Sequence, residues 1–257
     1  MKSIRKLYSP LLIILIFLIL ILGCQNKISN ANKSIKNTVE ESHVSSKGKE
    51  VIIPIISKKG KLLFEDTFAE TEPRPEWRIL HGTRWKLENG TYKGIPSTKE
   101  FQASHSHHAG TTPSMLLNVP CRDCIIEMSV KISGELDSAH LGYNEGPTQT
   151  TSGHIFRLIL DVEKGTFLQK DRHSQVKGDK NVILKESDWK PKRDEWITVL
   201  IETQGEEVAA QVVGGPTLKM KSPRFNVTKR SGNFKARGGE GAITYDNVRI
   251  WEALPLN

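Results

Sequence analysis

The sequence has little cysteine, and this excludes several kinds of metal centre. Its three cysteines are Cys24, Cys121 and Cys124. Cys121 and Cys124 form a single Cys-x-x-Cys pair. It lacks the second pair that a zinc site needs, and Ile125 follows it where c-type haem attachment requires histidine. The pair is therefore either a local disulfide or two free thiols, and export of the chain would favour the disulfide.

No apolar run in the sequence is long enough to span a bilayer. The longest extends from Leu11 to Leu22, fewer than the roughly 20 residues of a membrane-spanning helix, and it follows basic residues as in a secretory signal. Gly23 and Cys24 come next and resemble the bacterial lipobox, where cleavage precedes a cysteine that is acylated. This predicts a signal peptide over residues 1–23 and a membrane anchor at lipidated Cys24. The alternative is an ordinary signal peptide with an incidental cysteine.

The main part of the chain has no excess charge of either sign. The net charge of +8 comes from residues 1–61, whereas residues 62–257 carry equal numbers of basic and acidic residues. The basic pI therefore does not indicate nucleic-acid binding, and a basic tether beside an anionic leaflet accounts for it. Residues 24–60 are rich in Asn, Ser and Lys, which predicts a flexible basic stalk in which Pro54 allows an edge strand at best. Residues 61–257 suit one domain.

Helical periodicity is also lacking, whereas alternation of apolar and polar residues recurs. The predicted core faces of three strands are Ile126, Met128, Val130 and Ile132; Ile197, Val199 and Ile201; and Val208, Ala210 and Val212. Turn signals separate such runs: Asn89-Gly90 predicts a hairpin, residues 161–165 another, and the closing strand is expected to bend near Asp246-Asn247. Many antiparallel strands with frequent turns predict an all-β sandwich or jelly roll.

Several stretches resemble a known family in their order. They are LLFEDTFAETEPRPEWRI, GTRWKLENGTYKG, HHAGTTPSMLLNVPCRDCIIEMSVKI and YDNVRIWEAL. They resemble the concanavalin A-like jelly-roll domains of the 3-keto-disaccharide hydrolase group, relatives of glycoside hydrolase family 16, over residues 62–254. The resemblance implies an antiparallel β-sandwich with a carbohydrate-related function. It also implies a structural calcium ion with Asp66 and Asp246 as oxygen donors, and turn capping is the alternative role of these two acids.

The paired carboxylates of an active family 16 enzyme are missing. Such an enzyme carries Glu-x-Asp-x-x-Glu or Glu-x-Asp-x-Glu on one strand, which brings nucleophile and acid about 5 Å apart. The nearest match has Asp161 and Glu163 but Ile159 in the first carboxylate position. Gly165 follows, so this pair is predicted to lie in a hairpin turn.

The hairpin around residues 161–165 predicts a polar sheet face. Pairing of Leu160 with Thr166 places Arg157 opposite Gln169. The side chains that collect at the end remote from the turn are Arg157, Gln169, Asp171 and His173. A cation, an amide, a carboxylate and an imidazole can hold a polyhydroxylated ligand by hydrogen bonds. The alternative is a solvated face on which Arg157 and Asp171 simply pair.

Three histidines, His105, His107 and His108, lie in one short stretch. His107 and His108 are adjacent and cannot easily point the same way. His105 and His107 could bind zinc together with His173 or Asp171. The other interpretations are His108 as a hydrogen-bonding group near Arg157, and a plain surface loop.

Aromatic residues divide into exposed stacking candidates and core candidates. The exposed candidates, near turns, are Tyr92, Tyr143 and Trp189, of which Tyr143 joins the predicted ligand site. The core candidates are Trp77, Trp85, Trp196 and Trp251.

These features predict an exported, membrane-anchored lipoprotein of the bacterial cell envelope whose domain binds a carbohydrate through Arg157, Asp171, His173 and His108. One alternative is a hydrolase of a glycan or modified disaccharide with His108 or His173 as general base. The other is a structural lipoprotein without a ligand.

Overall fold

The computed structural model describes residues 52–105, 109–146 and 153–256, and these ranges are mostly β-strand. In chain order the strands are β1 (Ser57–Asp66), β2 (Trp77–Ile79), β3 (Arg84–Glu88), β4 (Thr91–Ile95), β5 (Ser114–Cys121), β6 (Cys124–Glu145), β7 (His154–Asp161), β8 (Gly165–Lys170), β9 (Val182–Ser187), β10 (Trp196–Gln204), β11 (Glu207–Val212), β12 (Thr217–Lys221) and β13 (Arg230–Pro255). A short helix, α1 (Lys99–Ser104), and a 3₁₀ turn at Pro223–Phe225 lie between them. No helix of these ranges is long and apolar enough to cross a membrane. The predicted signal peptide, Cys24, the stalk up to residue 51 and His108 all fall outside them.

The long strands β6 and β13 each take part in two sheets. The first sheet has the order β12-β11-β10-β6-β13-β4-β3, with β1 also beside β13. It uses the first half of β6, where Val130 pairs with Ile197. The second sheet has the order β9-β8-β7-β6-β13-β5-β2. It uses the second half of β6, where Leu141 pairs with Leu158 on one side and Phe234 on the other.

Glycines allow β6 and β13 to pass from one sheet to the other. The register between the two strands shifts around Gly238, and Gly134 pairs with Gly241. Gly134 has a φ of 70°, and a Cβ atom there would lie 2.8 Å from Gly241 Cα. Side chains at this crossing would hold the strands apart.

The core lies between the sheets and confirms the predicted alternation. The residues expected to face inward from β6, β10 and β11 are all buried: Ile126, Met128, Val130, Ile132, Ile197, Val199, Ile201, Val208, Ala210 and Val212. Because apolar residues alternate with polar ones, each strand places one side in the core and the other towards solvent.

The two predicted hairpins are present with the expected geometry. Asn89 and Gly90 have φ values of 52° and 68°, which is the positive-φ pair of a tight turn between β3 and β4. In the β7–β8 hairpin, Arg157 pairs with Gln169 as the turn residues predict. Asp161 Oδ1 accepts hydrogen bonds from the backbone N–H groups of Glu163 (3.0 Å) and Lys164 (2.8 Å), so it caps this turn.

The closing strand bends as predicted but begins earlier. Asn247 has a φ of 50°, and the register with β6 shifts between Asp246 and Arg249. The alternation in GAITYDNVRIWEAL predicts a closing strand that starts at Gly241, whereas β13 begins at Arg230. The additional residues form the centre of the second sheet.

The predicted exposure of three aromatic residues is wrong. Tyr92 and Tyr143 are each only 1% exposed, because Tyr143 shares the core-facing side of β6 with Leu141 and Tyr92 packs on Trp77. Trp196 is 44% exposed instead of buried, since it precedes inward-facing Ile197 and so points outward. Trp77 is a core residue as expected. The other tryptophans are partly buried: Trp85, Trp189 and Trp251.

A disulfide joins Cys121 at the end of β5 to Cys124 at the start of β6, as predicted. Both cysteines are buried. The bond therefore closes the tight connection between two neighbouring strands of the sandwich.

Asp66 holds the turn that follows β1. Its Oδ1 accepts a hydrogen bond from the Phe68 N–H and its Oδ2 one from Trp77 Nε1–H, each at 2.8 Å. Phe68 has a φ of 55°, a conformation that this cap stabilises. Asp246 Oδ1 accepts from the Asn247 N–H at 2.7 Å. These contacts are those of turn-capping acids, and no cluster of three or more His, Cys, Asp or Glu suited to a metal occurs in the ranges described.

We expect Asp66→Asn to lower the free energy of unfolding by about 2 kcal/mol, because an amide cannot accept both hydrogen bonds. Urea denaturation should give the same loss in EDTA and in millimolar calcium chloride. Exposed Glu70→Gln is the control and should change nothing. A loss that appears only in calcium would contradict the capping role.

Glu202 of β10 is fully buried and binds the chain where it enters β1. Its carboxylate accepts hydrogen bonds from three successive backbone N–H groups, those of Ile55 (2.7 Å), Ile56 (3.0 Å) and Ser57 (3.1 Å). The Ser57 hydroxyl donates a fourth at 2.9 Å. Strand β1 begins at Ser57, within the last residues of the predicted stalk, and this contact joins that segment to the first sheet.

Candidate functional site

The outer side of the second sheet carries a set of polar residues at its centre. In β6, Leu141 and Tyr143 point into the core. The residues that alternate with them, His140, Gly142 and Asn144, therefore point outward. Cross-strand partners share a face, and the strand pairs therefore place the outward residues of β6, β7, β8 and β13 side by side. We call this set the polar face: His140, Gly142, Asn144, Arg157, Gln169, Asn233, Lys235 and Arg237, with Asp171 directly after β8.

Three of the predicted site residues lie in contact on the polar face. Arg157 Nε and Asp171 Oδ2 form a buried ion pair at 2.9 Å, although the two atoms are not aligned for a hydrogen bond. Gln169 Nε2 donates to Asp171 Oδ1 at 2.7 Å. Burial lowers the pKa of Arg157, and the Asp171 carboxylate opposes this. Gly142 leaves room for the arginine, since a Cβ atom there would lie 3.0 Å from Arg157 Cγ.

His173 makes its hydrogen bonds within its own loop. Its backbone N–H donates to Asp179 Oδ2 at 2.7 Å, and its ring Nδ1 accepts from the Gln175 N–H at 3.2 Å. The loop is further closed by an ion pair between Lys170 and Asp179 at 2.6 Å. His173 therefore contributes to the order of the loop after β8.

The histidine stretch does not assemble a metal site in the part that is described. His105 stacks on Phe101 with ring centroids 3.8 Å apart, and its Nδ1 lies 2.8 Å from the Phe101 carbonyl oxygen. Asp171, the proposed additional ligand, pairs with Arg157 instead. His107 and His108 lie outside the described residues, and Gly110, just after them, lines a hollow beside the polar face.

Six members of the polar face, and His154 next to them, escaped the sequence analysis: His140, Gly142, Asn144, Asn233, Lys235 and Arg237. His140, Asn144 and Asn233 are each at most 6% exposed, and the partly buried His154 and Lys235 lie beside them. Except for His154, their signal is the alternation within SAHLGYNE and RSGNFKAR, in which every second residue points into the core. Neither of these stretches was recognised as a strand.

Several buried polar atoms of the polar face have no partner within the described protein. They are His140 Nδ1, Asn144 Nδ2, and both Nδ2 and Oδ1 of Asn233. His140 Nε2 lies 3.0 Å from Ser138 Oγ, and His154 Nδ1 lies 2.5 Å from Asn144 Oδ1. Buried polar groups in native proteins are almost always paired. Four unpaired atoms gathered on one face mark the place where water or a ligand would complete the hydrogen bonds of the fold.

The polar face is also rich in positive charge. Burial, followed by the charges of Arg157 and Arg237, lowers the pKa of Lys235 to about 7. Burial and the neighbouring cations lower the pKa of His154 to about 3 and that of His140 well below its ordinary value. Both imidazoles are therefore neutral at pH 7 and can donate or accept hydrogen bonds.

Two hollows of about 370 Å³ lie on the two sides of Arg237. The first, which we call the cationic hollow, is lined by His81, Thr111, Thr112, Ser114, Lys235 and Arg237 together with glycine and alanine backbone. The second lies towards the β7–β8 hairpin, where Ser138, His140 and Phe167 adjoin the carboxylates of Asp137, Asp161 and Glu163. Together they form an extended surface on which polar and apolar groups are mixed.

Solved structures share this architecture. The chain is similar to the carbohydrate-binding module CBM66 from Bacillus subtilis, with a TM-score of 0.50 and 11% identity over 69% of this chain and 96% of the module. It is similar to SCLam, a non-specific endo-β-1,3(4)-glucanase from family GH16, with a TM-score of 0.54 and 13% identity over 78% and 94% of the chains. A LamA variant from Zobellia galactanivorans in complex with laminaritriose and laminaritetraose gives a TM-score of 0.53 and 12% identity over 76% and 100%.

The fold is a concanavalin A-like jelly roll. No protein-family model matches the sequence, and no curated protein matches it. The likeness at these identities concerns the fold, and a shared fold does not determine function.

Among the residues that define the polar face, Asp171 is the single carboxylate. Asp171 is engaged by Arg157 and Gln169. Asp161 caps the β7–β8 turn through the backbone N–H groups of Glu163 and Lys164, so Asp161 and Glu163 are turn residues as predicted. The groups that remain are suited to hydrogen bonding and charge pairing.

Proposed function

We propose that this protein is an exported lipoprotein whose jelly-roll domain binds a carbohydrate on the polar face. The observation that carries the proposal is the group of buried, unpaired polar atoms of His140, Asn144 and Asn233. A buried polar atom without a partner costs about 1–3 kcal/mol. Sugar hydroxyls both donate and accept hydrogen bonds, so a saccharide offsets this cost at several points at once. The similarity to a carbohydrate-binding module and to glucan-bound structures supports the proposal.

Binding without cleavage is the form of the proposal that the chemistry of the site favours. Retaining hydrolysis needs a nucleophile and an acid about 5 Å apart, and the described carboxylate on the polar face is held by Arg157. The position of the ion pair between Arg157 and Asp171 suits it to orient a sugar. The full chain, purified in detergent, should bind members of a glycan array and leave the bound oligosaccharides intact when their masses are measured afterwards. Cleavage that is lost in His108→Ala or His173→Ala would establish the hydrolase instead.

We expect Asn233→Leu to reduce glycan affinity at least tenfold without reducing stability. Both amide atoms of Asn233 lack a protein partner, and the side chain is 2% exposed, so leucine removes contacts to a ligand and no described contact within the fold. Calorimetry on an oligosaccharide found on the array measures the first effect and thermal denaturation the second. Exposed Asn226→Leu is the matched control. Loss of stability with unchanged affinity would overturn this role.

Membrane anchoring is proposed from the lipobox-like sequence that ends at Cys24. Cells that express the protein should incorporate labelled palmitate into it, and the mature chain should begin at acylated Cys24. Cys24→Ser should abolish the labelling and release the protein from the membrane fraction. A mature N-terminus at another residue would contradict the proposal while leaving carbohydrate binding unaffected.

A further inference from the structure

The charges of the polar face are not balanced within the described protein. Arg157 has a carboxylate partner in Asp171. No carboxylate of the described ranges lies within 4.0 Å of the charged groups of Lys235 or Arg237. Lys235 is nevertheless partly buried, and burying an unpaired charge is costly. A positive site of this kind favours an anion.

The surroundings of Lys235 confirm that like charges dominate there. The ionisable groups that face it come from four parts of the fold: Arg237 on β13, Arg157 and His154 on β7, His140 on β6, and Asp171 after β8, with His81 lining the same hollow. Asp171 alone of these raises the pKa of Lys235, and burial with the two arginines lowers it to about 7. An incoming anion would reverse this effect.

The two hollows differ in charge, and this gives the site a direction. The cationic hollow contains Lys235 and Arg237 with hydroxyl groups from Thr112 and Ser114, and its described lining includes no carboxylate. The opposite hollow contains three carboxylates and the two cations Lys164 and Arg237, beside His140 and Phe167. An acidic group thus meets cations without carboxylates in the described lining of the first hollow, and charges of both signs in the second.

We propose that the ligand of the polar face is an acidic saccharide whose carboxylate or sulfate group binds in the cationic hollow between Lys235 and Arg237. The inference rests on carbohydrate binding by this face and adds the ligand class and its orientation. Thr112 and Ser114 donate hydrogen bonds to the anion. The neutral part of the saccharide lies over Asn233 and His140. Carboxylate and sulfate share the required charge and acceptor oxygens.

The test compares matched oligosaccharides with the full chain in detergent. Calorimetry would use trigalacturonate against its methyl ester for the carboxylate, a sulfated galactan oligosaccharide against its desulfated form for the sulfate, and laminaritriose as a neutral glucan. We expect at least tenfold tighter binding of one acidic member than of its neutral match, and loss of most of that difference in 0.5 M sodium chloride. Which pair shows the preference identifies the anionic group.

Variants locate the anion. Lys235→Met and Arg237→Met should each remove most of the preference for the acidic member, and exposed Lys190→Met should leave it intact. Arg237 is exposed on the surface, so its replacement tests the inference independently of any folding effect at Lys235. Affinity for the acidic member should fall as the pH rises from 7 to 9, because Lys235 loses its proton, and Lys235→Arg should abolish this dependence.

The outcomes separate the inference from the proposal on which it rests. Equal binding of acidic and neutral members, or binding of laminaritriose alone, would overturn the acidic ligand and leave carbohydrate binding standing. Absence of binding to every saccharide would overturn both. A preference for the acidic member that survives in both Lys235→Met and Arg237→Met would overturn the placement in the cationic hollow.

Discussion

Glu202→Ala is expected to lower the free energy of unfolding by about 4 kcal/mol, one of the largest effects of a single substitution in this domain. The carboxylate accepts four hydrogen bonds from Ile55, Ile56 and Ser57 in a site from which solvent is excluded. A hydrogen bond to a charged group contributes about 1.5–3 kcal/mol. The total loss is smaller than the sum of four such bonds, because the N–H groups that lose the carboxylate can bind water after the segment rearranges. Urea denaturation followed by tryptophan fluorescence measures the loss.

Glu202→Gln sharpens this test because it keeps the size of the side chain. One amide oxygen remains to accept hydrogen bonds, while the NH₂ group faces N–H donors. We therefore expect the free energy of unfolding to fall by about 2 kcal/mol, less than in Glu202→Ala. Exposed Glu186→Ala, on β9, is the control and should change stability by less than about 0.5 kcal/mol. A loss below 1 kcal/mol in Glu202→Ala would show that the entry segment does not depend on this contact.

Lys235→Met is expected to stabilise the domain near neutral pH, the opposite of the usual effect of a buried substitution. Lys235 lies in the fold with no described carboxylate partner, and methionine fills similar space without a charge. We expect a gain of about 2–4 kcal/mol at pH 6.5. A gain in stability with a loss of acidic-ligand binding is typical of a residue kept for function.

The pH dependence of this gain follows from the two pKa values of Lys235. It titrates near 10.5 in the unfolded chain and near 7 in the folded one. Between these values the unfolded state binds the proton and the folded state does not, so the stability of the wild type rises with pH. The destabilisation of the wild type by the Lys235 charge is complete below pH 7 and is lost as the pH approaches 10.5.

Denaturation at pH 6.5 and pH 9.5 measures this dependence directly. The stability difference between Lys235→Met and wild type should shrink at the higher pH, whereas Lys190→Met should behave as wild type at both. A difference that does not vary with pH would show that Lys235 keeps its ordinary pKa in the fold.

The sandwich could be predicted from the sequence because its strands follow local rules. Period-2 alternation identified the buried sides of β6, β10 and β11, and turn residues set the register that pairs Arg157 with Gln169. The same alternation, applied one residue earlier, would have placed Trp196 outward. Tyr143 was misplaced because its nearness to a turn was given more weight than its position on the face of Leu141.

The site could be predicted only where its residues share one hairpin. Arg157, Gln169 and Asp171 lie on neighbouring strands joined by a short turn, so local pairing brings them together. Asn233 and Lys235 lie far along the chain from this hairpin, on β13, and they reach the site because β13 pairs with β6. Local sequence patterns do not encode this long-range pairing. Glu202 could not be predicted as buried for the same reason. The alternation in β10 indicates an exposed side chain, whereas a distant segment, which enters β1, covers it.

Strand β13 extends from the cationic hollow at Lys235 to Pro255, which pairs with Ser57 at the start of β1. The two strands are antiparallel, so a pull on the chain before Ser57 and an opposing pull at Lys235 act along the strands in opposite directions. Such a force loads the β1–β13 hydrogen bonds in shear, and they must break together instead of one after another. Under the proposed anchoring and ligand binding, this geometry would resist tension between the N-terminus and the ligand, and the rate of forced unfolding would set how long the domain withstands it.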